Sequence, residues 1–160
     1  MTRDMLGGFH FNDRRYADDD LTLGSIDPYQ IFRIFHEIHL FAWERGGLYP
    51  EIEYMIDQSH NLKPKIEAMI QTVCTAQELY AKAALVDHDA LAAAQQKTDL
   101  VRAEGYLQDA FSTDVRPAIR EWRQAHKLPA DPQQAFRESG YLERITADRG
   151  SRAAGVSSYA

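Results

Sequence analysis

The chain has 160 residues, 44% of them hydrophobic and only 9 Gly and 6 Pro, so it reads as one ordered globular unit rather than a low-complexity or collagenous chain. A formal net charge of -6, with 18 basic residues scattered along the chain, gives no basic footprint for a nucleic-acid backbone. The single cysteine excludes an internal disulfide, no apolar run approaches the roughly 18 residues of a membrane span, and the opening MTRDMLGGFHF lacks the pattern of a secretion signal, so a reducing, cytoplasmic setting is expected.

Residues 6–11 form a short apolar run opened by Gly7 and Gly8 and stopped by Asn12 and Asp13, which suits a buried strand. Residues 13–24 carry three consecutive aspartates, Asp18, Asp19 and Asp20, and no periodicity, so they read as a loop. Asp27-Pro28-Tyr29-Gln30 is a helix start: the Asp side chain accepts from free backbone N–H groups, Pro fits the first helical position, and Gln can reach back. The helix is expected to run to residue 46, with Ile31, Ile34, Phe35, Ile38, Phe41 and Ala42 on a face built to be buried.

Residues 51–56 are a second candidate strand, and it too ends in polar residues, Asp57-Gln58-Ser59-His60-Asn61. A long amphipathic helix then follows from near Pro64 to near Asp87, its stripe marked by Ile66, Met69, Ile70, Val73, Gln77, Tyr80 and Ala84. Beyond it everything is helix-prone: residues 89–110, 114–126, and a second Asp-Pro-x-Gln start at Asp131 running to residue 140, with a frayed tail after Arg149. Two strand–helix units in succession predict parallel strands joined by helical crossovers. Two strands alone leave sheet edges and apolar helix faces without partners.

In parallel α/β folds ligands gather at the carboxyl ends of strands. The first such end offers His10, Asp18 and Asp20; the second offers Asp57, with Ser59 and His60 beyond. Oxygen donors plus one imidazole suit Mn²⁺ or Mg²⁺, although spacing alone favours a solvated acidic loop beside a hydrogen-bonded core histidine. His36-Glu37-Ile38-His39 lacks the HExxH spacing of a helical metal motif, and the helical wheel turns His36 away from the apolar face, so both histidines are expected at the surface. Cys74 is expected to be a buried structural thiol, and Trp43 and Trp122 to be packing residues.

Leu6-Gly7-Gly8-Phe9-His10-Phe11-Asn12-Asp13, then Tyr16 and Asp18-Asp19-Asp20-Leu21, resemble the bacterial L-rhamnose isomerase family, and Tyr54-Met55-Ile56-Asp57-Gln58-Ser59-His60-Asn61 is similar to that family's last barrel-strand motif. Ser25-Ile26 with Pro28-Tyr29, Tyr80-Ala81-Lys82-Ala83, Thr113-Asp114-Val115-Arg116-Pro117 and Ser139-Gly140-Tyr141 extend the likeness over nearly the whole chain. Arg14-Arg15 and Ala17 depart from the family pattern in the acidic loop. The fold this resemblance implies is α/β: the carboxyl-terminal part of a (β/α)8 TIM barrel, with the last two strand–helix units in residues 1–87, a helical extension in 88–150 and a disordered tail in 151–160. Predominantly helical content is expected, with the first six strands absent.

The resemblance further implies two divalent cations, commonly Mn²⁺ with Mg²⁺ or Co²⁺ as substitutes. His10 and Asp57 match ligands of one site, Asp18 and Asp20 ligands of the other, and Asp57 is also the candidate catalytic residue, orienting a water. The implied activity is aldose–ketose isomerisation of a monosaccharide such as L-rhamnose, by a tetramer in the family, with this chain inactive on its own. A helical assembly or binding module derived from the isomerase end is the alternative. Neither nucleic acid nor membrane is an expected partner.

Overall fold

The computed structural model describes residues 5–16, 19–58 and 63–150. Strand β1 (Gly8–Phe11) pairs in parallel with β2 (Glu53–Ile56), in a register that sets Phe9 opposite Tyr54 and His10 opposite Met55. Helix α1 (Pro28–Glu44) connects them, which is the helical crossover that parallel neighbours require. Asp27 caps α1 as its sequence predicts, its Oδ1 accepting from the Gln30 amide at 2.9 Å. The end of α1 is set by Gly46 and Gly47, both at positive φ, where glycine avoids the steric cost of a Cβ.

Helix α2 (Lys65–Ala83) packs along α1, and the hairpin of α3 (His88–Gln96) and α4 (Leu100–Ser112) closes over the pair. The core is aromatic at this junction: Phe32 is fully buried, and its ring and that of Tyr29 meet Phe111 edge-on at 5.4 and 5.0 Å. Phe35 lies between Phe11 of β1 and Tyr80 of α2, 5.4 Å from each. Such a cluster couples strand, crossover helix and α2 through the largest apolar areas the chain has to bury. Helices α5 (Arg116–Ala125), α6 (Pro132–Glu138) and α7 (Tyr141–Gly150) complete the described chain. α6 is tied to α2 by the Arg137–Glu67 ion pair.

The strands are shorter than the sequence predicts, and the single helix expected over residues 89–110 is two. Lys97 closes α3, Thr98 turns to φ +57°, and the Asp99 carboxylate accepts from the Arg102 amide at 3.1 Å to start α4. A Thr-Asp pair inside a helix-prone run is thus a stop and a cap together.

The partial barrel is overturned. Among the described residues there are two strands of four residues each, and every regular element after β2 is a helix, giving a small, mainly helical domain around one parallel βαβ unit. The physical reason is that strand–helix–strand–helix order satisfies any βαβ unit, and here the helices that follow close on α1 and α2 instead of crossing back to a further strand. The expected predominance of helix is observed; the frayed tail lies outside the described residues.

One side of this domain stays open. A groove of about 770 Å³ runs between the β-ribbon, α2 and α5, lined by Phe11, Tyr54, Val73, Tyr80, Ile119 and Trp122 among others. Ile66, Met69 and Val73, expected on the buried stripe of α2, are 38–44% exposed. Trp43 and Trp122, expected to be packing residues, are also exposed, at 43% and 52%. No helix among the described residues is long and apolar enough to cross a membrane.

Candidate functional site at the ends of the parallel strands

His10 is the third residue of β1, and Asp57 follows the last residue of β2. The ladder holds them in neighbouring positions: the Asp57 amide donates to the Phe11 carbonyl at 3.0 Å, extending the pairing one residue past β2. The His10 Nδ1 and Asp57 Oδ2 atoms stand 3.8 Å apart, both side chains more than half exposed. This is beyond hydrogen-bond length. The pair is an imidazole and a carboxylate facing solvent with donor atoms not tied to one another.

The acidic loop divides its carboxylates among different tasks. Asp13, nearly buried, accepts from the backbone amides of Ile26 and Asp27 at 2.7 and 3.0 Å through Oδ2, and from that of Arg14 through Oδ1. It therefore stitches the end of β1 to the start of α1, and an antiparallel bridge to Leu21 closes the loop between. Asp19 accepts from the amides of Arg15 and Tyr16. Asp20 sits at φ +38°, a conformation disfavoured for a residue with a Cβ, and its Oδ1 accepts from the Asn12 side-chain Nδ2 at 2.9 Å. Asp18, Ser59 and His60 lie outside the described residues.

Of the four sequence-predicted ligands, then, His10 and Asp57 come together, while Asp20 is held toward Asn12. Among the described residues no group of three or more His, Cys, Asp or Glu side chains is placed to hold a metal ion. The pair fits a divalent cation in kind, nitrogen plus carboxylate oxygen, and provides two donors.

Two residues that the sequence marks only as members of the strand-end motifs take supporting roles. Asn12 fixes Asp20, and Gln58, next to Asp57, accepts from the fully buried Thr72 hydroxyl of α2 at 2.8 Å while its Nε2 is buried without a partner. Both are amides beside candidate ligands, and only their pairing across 8 and 14 residues gives them away.

The other candidates resolve differently from expectation. His36 and His39 are buried, not at the surface. His39 is held by the Tyr49 hydroxyl at 3.0 Å and the Tyr80 carbonyl at 3.2 Å, and His36 stacks on His88, their ring centroids 5.2 Å apart. A wheel assigns faces from one helix, whereas α3 arrives on the opposite flank of α1 and covers it. Cys74 is half-buried, with the Arg123 guanidinium 3.6 Å from its Sγ. Burial pushes its thiol pKa up and Arg123 opposes that shift.

No family model matches the chain. It is 41% identical over 150 residues to a protein of Rhizobium meliloti (strain 1021) named "Probable sugar isomerase", an alignment covering 94% of this chain and 35% of that protein. It is 40% identical over 144 residues to a protein of Mesorhizobium japonicum with the same descriptive name, covering 90% of this chain and 33% of the relative. The chain thus spans about a third of the length of the curated relatives it matches.

Proposed function

We propose that this chain forms part of a sugar isomerase, and that the reaction is a metal-dependent aldose–ketose isomerisation of the L-rhamnose type. The observation that carries the reading is the meeting of His10 and Asp57, from separate strands, at adjacent carboxyl ends of a parallel pair, in a chain similar along most of its length to proteins named as sugar isomerases. In this reading His10 and Asp57 hold one divalent cation, Mn²⁺ or in its place Mg²⁺ or Co²⁺, and Asp18 and Asp20 belong to a second site. When bound, such a cation polarises the carbonyl and hydroxyl oxygens of a sugar. Asp57 is the catalytic residue of this segment, since a carboxylate has two oxygens and can orient a water while holding a cation.

The remaining donors and most of the sugar pocket are assigned to the rest of the length that the relatives have and this chain does not span. Turnover by the isolated chain is accordingly expected to be absent. Preference for L-rhamnose among aldoses is part of the proposal and rests on the motif resemblance, because discrimination between sugars depends on contacts around the whole substrate. A cytoplasmic setting and a homo-oligomeric, tetrameric state belong to the same reading.

The test is calorimetric titration of the purified chain with Mn²⁺, beside an Asp57→Asn variant, with L-rhamnose isomerisation assayed on the same samples. Binding that the variant weakens at least about tenfold, a loss of about 1.4 kcal/mol, supports the site. Equal affinity in both proteins sinks the assignment of Asp57. A second reading, a helical assembly module without catalysis, is favoured by the open groove beside α2. Self-association with neither Mn²⁺ binding nor turnover supports it.

A further inference from the structure

His36 and His88 form a contact that the isomerase reading does not use. His36 lies on α1 at 5% exposure, and His88 is the first residue of α3. Their rings stack at an interplanar angle of 25°, and the Trp43 ring of α1 stands 5.7 Å from that of His88. The Nδ1 atoms of both histidines are buried and have no hydrogen-bond partner. No hydrogen bond therefore compensates a proton added there, and two imidazolium rings in this stack repel at close range in a poorly solvated space.

The surrounding charges add to this. His36 faces His88 across the interface and His39 and Arg33 along its own helix, all of which oppose a positive charge. His88 stands at the amino end of α3, where the helix dipole disfavours a cation. Asp87 and Asp89, on either side of it, are the groups that favour its charged form.

We infer that the stacked His36–His88 pair is an acid-sensitive latch pinning the start of α3 to α1, which opens when the imidazoles take up protons. The direction of the titration agrees. Burial first, then His88, His39 and Arg33, bring His36 down to about 4, and burial also lowers His88 and His39. A histidine whose folded pKa is depressed contributes fully above its unfolded value near 6.5, and that contribution is lost as the pH falls from there toward about 4. Neutral rings hold the latch shut; acid opens it.

The test uses Trp122→Phe, which leaves Trp43 as the reporter beside His88, with hydrogen exchange followed in the same chain at pH 7.5 and pH 5. Below pH 6.5 the Trp43 emission is expected to change reversibly. After correction for intrinsic exchange, amides at 84–91 should lose protection by at least about tenfold, the change that one unit of linked protonation supplies, while those at 65–80 keep theirs. Adding His36→Phe and His88→Phe together retains both rings in the stack and removes both proton sites, so both changes should vanish. Persistence of the emission change in that triple variant, loss of protection spread evenly over the chain, or a His36 ring that titrates near 6.5 by NMR in the intact protein would each overturn the inference.

Discussion

The two long helices, α1 and α2, begin from similar amphipathic sequences and end in different surroundings. α1 buries Ile31, Phe32, Phe35, Ile38, Phe41 and Ala42, and even its two histidines are enclosed. α2 buries Ala68, Thr72, Leu79 and Ala83, mostly small side chains, and leaves Ile66, Met69 and Val73 substantially exposed, Val73 of them along the groove. The difference teaches what an apolar stripe encodes. It marks a face that gains free energy by leaving water, but the covering surface must be supplied from elsewhere. For α1 the β-ribbon, α2 and α4 supply it; for Ile66, Met69 and Val73 of α2 the described elements supply it only in part.

The sharpest way to break the comparison is to empty the α1 side. Phe32 is fully buried and meets Tyr29 and Phe111, so Phe32→Ala should destabilise the chain by about 3–5 kcal/mol, read from the midpoint of urea unfolding. A loss under about 1 kcal/mol would mean that the α1–α4 aromatic junction is not the core. Next in size is Asp13→Ala. This nearly buried carboxylate serves three backbone amides between β1 and α1, and leaving them unsatisfied should cost roughly 1–3 kcal/mol. It should also disturb the placement of His10 through the same loop. The direct check is the His10 ring resonance by NMR, which is expected to move in Asp13→Ala and to stay put in Phe32→Ala if the latter still folds.

These effects also separate what can be read from a sequence from what cannot. The start of α1 is local: Asp-Pro-x-Gln names its own cap, and Asp27→Ala should cost about 1 kcal/mol, measured by thermal unfolding. The Asp131 start of α6 is legible for the same reason, and the Asp131 carboxylate accepts from the Gln134 amide at 3.0 Å. Strand positions and their parallel pairing follow from short apolar runs separated by a helix, and that pairing brings His10 to Asp57. The burial of His36 was not legible, because it depends on α3 folding back across about 50 residues. Nor was the division of labour in the acidic loop. Asp13 and Asp19 look like Asp20 in sequence, and only three-dimensional closure of the loop commits their oxygens to backbone amides. The partial barrel failed for a related reason: a βαβ order is a local pattern, and the number of strands that join a sheet is not.

The smallest expected effect on stability is on the α2 side, and it sharpens the contrast most. Val73 is 44% exposed and lines the groove with Tyr80 and Trp122. If that face is uncovered in the isolated chain, Val73→Ser removes little burial, and the urea midpoint should move by no more than about 0.5 kcal/mol. An apolar groove of this kind carries a tendency to associate, so sedimentation velocity over a range of concentrations should show Val73→Ser shifted toward the monomer. Unchanged association with unchanged stability would mean that the groove does not drive contacts between copies. A destabilisation of about 1.5 kcal/mol or more at low concentration would mean instead that Val73 is covered within one chain, and the contrast between α1 and α2 would then collapse.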